Sequence, residues 1–224
     1  MQQNGQATGV EGDDAPHVRE NLRRLAEAAW VSPERLFTVT QVHGDGVVPA
    51  LESTPETPAD ALWTATPGTA VGVRTADCLP VLLHDRGSGR VAAVHAGWRG
   101  VINELTAKTL EVWFSLGTRA EDVRAAIGPC IQRCCFEVDG ELPRRFSAAF
   151  GAEVVVSVEG KEKQHLDLPR AVTLTLARAG VAAGHVAVLP HCTRCDARFF
   201  SHRRDQGVTG RHLSFITCVG ASRL

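Results

Sequence analysis

Three short apolar runs follow one another closely in this chain, and they constrain the fold more than any other feature. They cover residues 70–74, 79–84 and 91–95, with a hairpin-type turn over 85–89 between the last two. Apolar runs of this length bounded by turn residues are typical of β-strands. Because strands outnumber helices and these clusters do not alternate evenly with helices, the pattern favours an α+β fold over a doubly wound α/β sheet.

Periodicity and capping residues predict the other elements. Apolar residues repeat at helical spacing from Val101 to Leu116, so we expect one amphipathic helix that ends at Gly117. We also predict a helix that begins at Asp13 or Asp14 and continues through 24–29, a helix over 140–149, a helix from Asp167 to Gly180, a loop over 52–60, and strands over 36–42, 123–127, 185–189 and 213–219.

The composition is ordinary for a globular protein, with 44% hydrophobic and 22% charged residues. We expect one catalytic domain over 15–224, after a polar, acidic and mobile segment over 1–14. The 24 basic and 25 acidic residues leave a net charge of −1, so nothing indicates a nucleic-acid or membrane partner. No apolar run approaches the ~20 residues of a transmembrane helix. The first residues do not resemble a secretory signal, so we expect a cytoplasmic protein.

Two histidines and a cysteine stand where predicted strands end. His43 closes the run from Leu36, Cys78 lies between two strands, and His95 precedes the glycine-rich segment 96–100. Three protein ligands with an open fourth position suit a catalytic zinc ion, and the gaps of 35 and 17 residues exclude a zinc finger. From spacing alone two alternatives stay open: three independently placed residues, or a Cys78 nucleophile with a histidine base.

An arginine-rich segment near the end of the chain is a candidate anion site. Arg203 and Arg204 lie in FFSHRRD, and Arg211 follows in TGR. Guanidinium groups suit phosphate and carboxylate, so these residues and Arg99 are candidates to line an anion subsite. Composition alone favours the alternative, a solvated charged loop.

Most of the cysteines fall into two further groups. Their odd total of seven indicates thiols, metal ligands or a nucleophile rather than a disulfide framework. Five cysteines form these groups: Cys130, Cys134 and Cys135 in one, and Cys192 and Cys195 in the other. A second, structural zinc site is one interpretation of them. The spacing within the first group is poor for zinc ligands, so buried thiols are favoured.

Taken together, six ordered motifs resemble the YfiH/YlmD family over about residues 12–218. These are QVHGDGVV (41–48), RTADCLPVLL (74–83), VAAVHAGWRG (91–100), AIGPCIQRCCFEV (126–138), the DL…AGV segment (167–181) and FFSHRRD…TGR (199–211). Members of this family are known as laccase-like polyphenol oxidases, as peptidoglycan editing factors, and as purine nucleoside phosphorylases with adenosine deaminase activity.

The resemblance implies a four-layer α/β/β/α fold with mixed sheets, built from a duplicated βαβββ unit. It also implies that the metal ligands are His43, Cys78 and His95, the three residues selected above. Zinc is favoured over copper as the cofactor, because a set of two histidines and one cysteine suits either metal but no further histidine-rich set supports a multicopper cluster.

The function implied is a zinc-dependent purine nucleoside phosphorylase with adenosine deaminase activity, acting on adenosine, inosine or methylthioadenosine with phosphate. Zinc would lower the pKa of a water for attack on purine C6. By residue type and position, Asp77 is a candidate proton acceptor, or a residue that orients a metal ligand. Arg99 is a candidate catalytic residue that donates hydrogen bonds to the anion, and Gln41 is a candidate contact to the base or ribose. The further candidate substrate contacts are Arg203, Arg204 and Arg211.

Three alternatives come from other classes: a copper-dependent polyphenol oxidase, a cysteine hydrolase using Cys78, and a peptidoglycan editing factor. Departures from the family pattern favour keeping the last of these open. Leu22 replaces an expected arginine, and Phe136 and His202 replace tyrosines. Val172 and Thr175 replace the asparagine and glutamine expected in the DL…AGV helix. These departures lie outside the three metal-ligand positions, so we expect them to affect substrate binding.

Overall fold

The computed structural model describes residues 15–28 and 30–219. The helices within this part of the chain are α1 (Ala15–Ala28), α2 (Trp98–Ile102), α3 (Leu105–Ser115), α4 (Leu142–Phe150) and α5 (Leu168–Arg178). The strands are β1 (Leu36–Phe37), β2 (Val47–Pro49), β3 (Ala61–Thr64), β4 (Thr69–Thr75), β5 (Leu79–Asp85), β6 (Val91–Ala96), β7 (Val123–Ile127), β8 (Glu137–Val138), β9 (Val155–Val156), β10 (Gln164–Leu166), β11 (Val186–Val188) and β12 (His212–Cys218).

In the described part of the chain the strands form three sheets. Two are larger, and the third is called the small sheet because its three strands are only two or three residues long. A six-stranded sheet has the order β11-β7-β5-β6-β3-β2, a three-stranded sheet has the order β1-β4-β12, and the small sheet has the order β8-β10-β9. Both larger sheets are mixed. In the six-stranded sheet β2 pairs with β3 in parallel while β3, β6, β5 and β7 are antiparallel neighbours, and in the three-stranded sheet β1 is parallel and β12 antiparallel to β4.

The elements stack in four layers. The three-stranded sheet packs on the six-stranded sheet through β4, β12 and β6, while α2 and α3 lie against β6 and α5 packs on those helices. Helix α1 covers the outer face of the three-stranded sheet, where Ala26 clusters with Ala70 and Phe215. This α/β/β/α arrangement confirms the expected α+β fold.

Side-chain alternation along β6 separates two apolar cores. Val94 and Ala96 face the helices, whereas Val91 and Ala93 face the other sheet. Because successive side chains of a strand point to opposite faces, His95 lies on the same side as Val91 and Ala93. The end of β6 therefore places an imidazole at the boundary of the layer between the sheets.

The predicted group of three strands is confirmed, but the helix expected from Val101 to Leu116 is interrupted. Helix α2 ends at Ile102, and α3 begins at Leu105 after Glu104 adopts a left-handed backbone with φ of 56°. Val101 and Leu105 are both buried on either side of the break. The apolar spacing therefore satisfies the core without a continuous helix, which is why periodicity alone did not reveal the interruption.

The strand predicted over 36–42 is wrong beyond Phe37, and β2 and β3 were not predicted. Thr40 makes only an isolated bridge with Pro58. The backbone N–H groups of residues 42–44 donate to the carboxylate of Asp60 rather than to a neighbouring strand. A tertiary contact thus replaces the ladder that the apolar run suggested. The segment 1–14, with its expected mobility and helix start, lies outside the described residues.

In the part of the chain that the structure describes, none of the helices combines the length and the apolar character needed to cross a membrane.

Candidate metal centre

The segment between β1 and β2, the residue before β5 and the end of β6 bring His43, Cys78 and His95 together. One possible ligand atom from each lies within 4.8 Å of the others. His43 Nε2 is 3.9 Å from Cys78 Sγ, and the two imidazole rings meet edge to face with centroids 4.8 Å apart. Leu79 pairs with Ala96 in the antiparallel register of β5 and β6. Extending this register by one residue places Cys78 beside Gly97 at the open end of the β5–β6 hairpin.

A buried carboxylate orients this group. The register that pairs Ala61 with Val94 sets Asp60 opposite His95, and Asp60 Oδ1 lies 2.7 Å from His95 Nδ1. The same carboxylate accepts backbone hydrogen bonds from Val42 at 3.2 Å, from His43 at 3.0 Å and from Gly44 at 2.7 Å. With Nδ1 engaged by Asp60, the ring of His95 presents Nε2 as its free donor atom.

Sequence reasoning missed Asp60, which was placed in a loop. It is fully buried, and a buried carboxylate needs partners. An aspartate directly before an apolar run, ALWT, was the available signal, but nothing in one sequence says which histidine it faces.

Gly97 allows the three residues to approach closely. A Cβ atom at this position would lie 3.2 Å from Cys78 Sγ and 3.4 Å from His43 Cδ2. His43 itself has a left-handed backbone with φ of 57°, which turns its ring toward the group. The room left by glycine and the mixed imidazole and thiol donors fit a zinc ion, which accepts such sets in catalytic sites.

The electrostatics of the group favour a thiolate. Burial acts to raise the pKa of Cys78, but hydrogen bonds and charge from His43 and His95 outweigh it and lower the pKa to about 6. Burial acts to lower the pKa of His95, whereas Asp60 and Cys78 raise it to about 9. A thiolate is both the form of cysteine that binds metal and the form that acts as a nucleophile.

Asp77 lies next to Cys78 in the chain, but its carboxylate bonds to the loops over 193–203. Its backbone is left-handed, with φ of 85°. Its carboxylate accepts hydrogen bonds from Thr193 Oγ1 at 2.5 Å, from Ser201 Oγ at 3.1 Å and from the Arg203 backbone at 2.7 Å. Asp77 thereby ties the loops over 193–203 to the strand end that holds Cys78.

Gln41 is buried and paired with the backbone of a neighbouring strand. Its Oε1 accepts from the Arg74 N–H at 2.7 Å, and its Nε2 donates to the Arg74 carbonyl at 2.7 Å. Burial and the charge of Arg211 lower the pKa of Arg74. Sequence reasoning did not select Arg74, because its proximity to Arg211 depends on the pairing of β4 with β12.

The four candidate arginines have different surroundings. Arg99 is exposed and lies over the Trp98 ring, with Cζ 4.4 Å from the ring centroid. Arg211 is exposed and donates to the carbonyls of residues 209 and 210. Arg203 is exposed, with its guanidinium 5.6 Å from the centroid of Phe136, while Arg204 makes a two-point contact with Asp205 at 2.8 and 2.9 Å.

The positions that depart from the family pattern are scattered. Leu22 is half-buried on α1, Phe136 is buried in the main core, and His202 is exposed.

Four of the five grouped cysteines meet in a second cluster, which leaves Cys130 outside it: Cys134, Cys135, Cys192 and Cys195.

Comparison with solved structures places this fold among known proteins. YlmD from Geobacillus stearothermophilus superimposes with a TM-score of 0.84 at 34% identity, covering 93% of this chain and 83% of that one. The class is therefore a mixed α+β protein of the YfiH/YlmD type.

The sequence comparisons agree. A family model described as multi-copper polyphenol oxidoreductase laccase matches residues 4–219, and the chain belongs to this family. A Deinococcus radiodurans protein named purine nucleoside phosphorylase is 41% identical over 204 residues, covering 91% of this chain and 78% of the relative. A protein of an unknown prokaryotic organism named adenosine deaminase RL5 is 36% identical over 206 residues, covering 86% and 79%.

Proposed function

We propose that this protein is a zinc-dependent purine nucleoside phosphorylase that also deaminates adenosine. The supporting observation is the convergence of His43, Cys78 and His95, with His95 oriented by the buried Asp60. The names of the Deinococcus relative and of adenosine deaminase RL5 indicate the substrate class, which we extend to adenosine, inosine and methylthioadenosine with phosphate.

His43, Cys78 and His95 would hold the zinc ion. When bound, zinc supplies a Lewis acid that lowers the pKa of a water toward neutrality, which is the chemistry required at purine C6. Asp60 keeps the Nδ1 proton of His95 and so fixes the ring tautomer. Asp77 takes a positioning role, because its carboxylate is engaged by the hydroxyl of Thr193 and by the segment that begins at Ser201.

Phosphorolysis requires positive charge beside the ribose. Among the described residues, Arg99 and Arg211, like Arg203, have no carboxylate partner within ion-pair distance, so their guanidinium groups are available to donate hydrogen bonds to phosphate. A bound anion would also relieve the repulsion between Arg211 and Arg74. Arg203 is a further candidate, whereas Arg204 is engaged by Asp205 and stabilises its own loop.

Gln41 supports this anion site indirectly. Both polar atoms of its side chain bond to the Arg74 backbone, so it holds that strand, and its contact with the base or ribose stays a prediction.

Two other functions have one observation each in their favour. The description of the family model favours a copper-dependent polyphenol oxidase. The low pKa of Cys78 favours a cysteine hydrolase that works without metal.

The test is to incubate metal-quantified protein with adenosine, with and without phosphate, and to resolve the products by mass. We expect adenine and ribose 1-phosphate only with phosphate, and inosine in both samples. Cys78→Ala is expected to lose zinc from this site together with both products, while the buried Cys218→Ala, remote from the site, retains them. Turnover that persists in Cys78→Ala, or oxygen uptake with a phenol by copper-loaded protein, would contradict the proposal.

A further inference from the structure

Four cysteine sulfurs meet at a place that the proposed reaction does not use. Cys134 and Cys135 come from the turn after β7, and Cys192 and Cys195 come from the turn after β11. Their sulfur atoms all lie within 4.8 Å of one another. Cys134 Sγ and Cys195 Sγ are 3.7 Å apart, and Cys135 Sγ and Cys195 Sγ are 3.2 Å apart.

These separations match a tetrahedral thiolate site. With Zn–S bonds of about 2.3 Å, tetrahedral geometry sets neighbouring sulfurs about 3.8 Å apart. The observed separations, from 3.2 Å to no more than 4.8 Å, bracket that value.

The backbone holds the two turns side by side. Cys130 and Cys192 form an isolated parallel bridge, in which the Thr193 N–H donates to the Cys130 carbonyl at 3.0 Å. The Gln132 N–H faces Cys192 Sγ at 3.5 Å. Asp196 N–H bonds the Cys192 carbonyl at 3.0 Å, which closes the CxxC turn. The sulfur positions are therefore set by hydrogen bonds of the main chain.

Four thiols this close cannot all ionise without a cation, because neighbouring thiolates repel. A divalent ion reverses this relation, since coordinating thiols are deprotonated by the metal.

We propose that Cys134, Cys135, Cys192 and Cys195 bind a structural zinc ion, separate from the ion at His43, Cys78 and His95. All four tetrahedral positions are filled by protein ligands, which distinguishes a structural site from a catalytic one. The ion clamps the turn of 192–195 against the turn of 130–136. Thr193 lies within the clamped turn and bonds Asp77, so the second zinc supports the loops around the first site.

The test is metal analysis of the full-length chain and of matched variants. We expect two zinc ions per wild-type chain and one in Cys78→Ala. One is also expected in Cys134→Ser/Cys195→Ser, with two retained in the buried-cysteine control Cys218→Ala. Because the sites lose metal independently, failure of the nucleoside assay leaves this proposal standing, and loss of the second zinc alone leaves the proposed function standing.

Cobalt substitution in Cys78→Ala provides a measurement that keeps the cluster intact, so it decides the matter even if the double variant does not fold. We expect an intense thiolate-to-cobalt charge-transfer band and the visible bands of a tetrahedral all-sulfur site. The proposal is overturned if the band is missing, if iron is found in place of zinc, or if intact-mass analysis of protein purified without reductant shows a disulfide linking Cys135 and Cys195.

Discussion

Replacing Asp60 by asparagine tests the organisation of the metal centre most directly. The two carboxylate oxygens accept four hydrogen bonds, from His95 Nδ1 and from the backbone of Val42, His43 and Gly44. An amide keeps only one acceptor oxygen. If that oxygen faces His95 and His43, the N–H groups of Val42 and Gly44 then meet an NH₂ group and lose their acceptor.

The magnitude follows from these contacts. Two hydrogen bonds to a charged acceptor contribute about 1.5–3 kcal/mol each, so Asp60→Asn is expected to lower the free energy of unfolding by about 3 kcal/mol or more. Loss of the carboxylate that orients a ligating histidine typically reduces metal affinity by about 10–100-fold. Asp60→Asn thus combines a stability loss with a loss of zinc affinity.

The pH dependence has a defined sign. Burial acts to raise the pKa of Asp60, but hydrogen bonds from His95, Gly44 and Val42 hold it below its ordinary value of 3.8. A lowered pKa in the folded state contributes stability that is present above the unfolded value and lost as the pH falls through the folded value. The difference between wild type and Asp60→Asn should therefore be full at neutral pH and shrink below about pH 4.

The assay is zinc competition against a chromophoric chelator at pH 7, together with urea unfolding of the metal-free proteins. Asp85→Asn is the matched control, because Asp85 is equally buried and accepts from Thr118 and Gly87 away from the metal centre. It should lose stability and keep zinc affinity. Wild-type zinc affinity in Asp60→Asn would refute the orienting role.

Three further predictions concern neighbouring residues. Gly97→Ala places a methyl group 3.2 Å from Cys78 Sγ, so competition titration should show weaker zinc binding, whereas Gly184→Ala, with open space around it, should bind as wild type. In metal-free protein the thiolate of Cys78 forms as the pH rises through its pKa of about 6. The rate at which iodoacetamide alkylates Cys78 should therefore reach half its maximum near that pH. A midpoint near 9 would contradict the ion pair with the histidines. Thr193→Val removes a hydrogen bond to the carboxylate of Asp77 and should cost about 1.5–3 kcal/mol in urea unfolding, with a lower kcat; unchanged values of both would exclude its positioning role.

Local pattern predicted the strands that build the site. The runs at 70–74, 79–84 and 91–95 became β4, β5 and β6 with small changes at their ends, because each is buried and bounded by turn residues. Patterns failed where a long-range contact replaced a local one. The chain at 42–44 is not part of a strand, because its N–H groups bond to the carboxylate of Asp60, and Glu104 interrupts a helix whose apolar spacing is preserved.

The distinction between free and engaged polar groups was also beyond local pattern. Gln41 and Arg204 have residue types suited to substrate binding, yet the structure pairs Gln41 with the backbone of Arg74 and Arg204 with Asp205. The spacing of the cysteines along the chain disfavoured a second metal site. Sequence spacing gives no information on the distance between two turns that hydrogen bonds hold together in space.

The sequence by itself determined the α+β class, the strands β4, β5 and β6, and the chemical types beside Cys78 and His95, because apolar period and turn residues act over a few neighbours. Only the tertiary structure decided that Asp60 faces His95 and that Cys134 and Cys135 meet Cys192 and Cys195. Those contacts depend on strand register and on the packing of segments about sixty residues apart. Both are set by burial summed over the whole core rather than by any local stretch of chain.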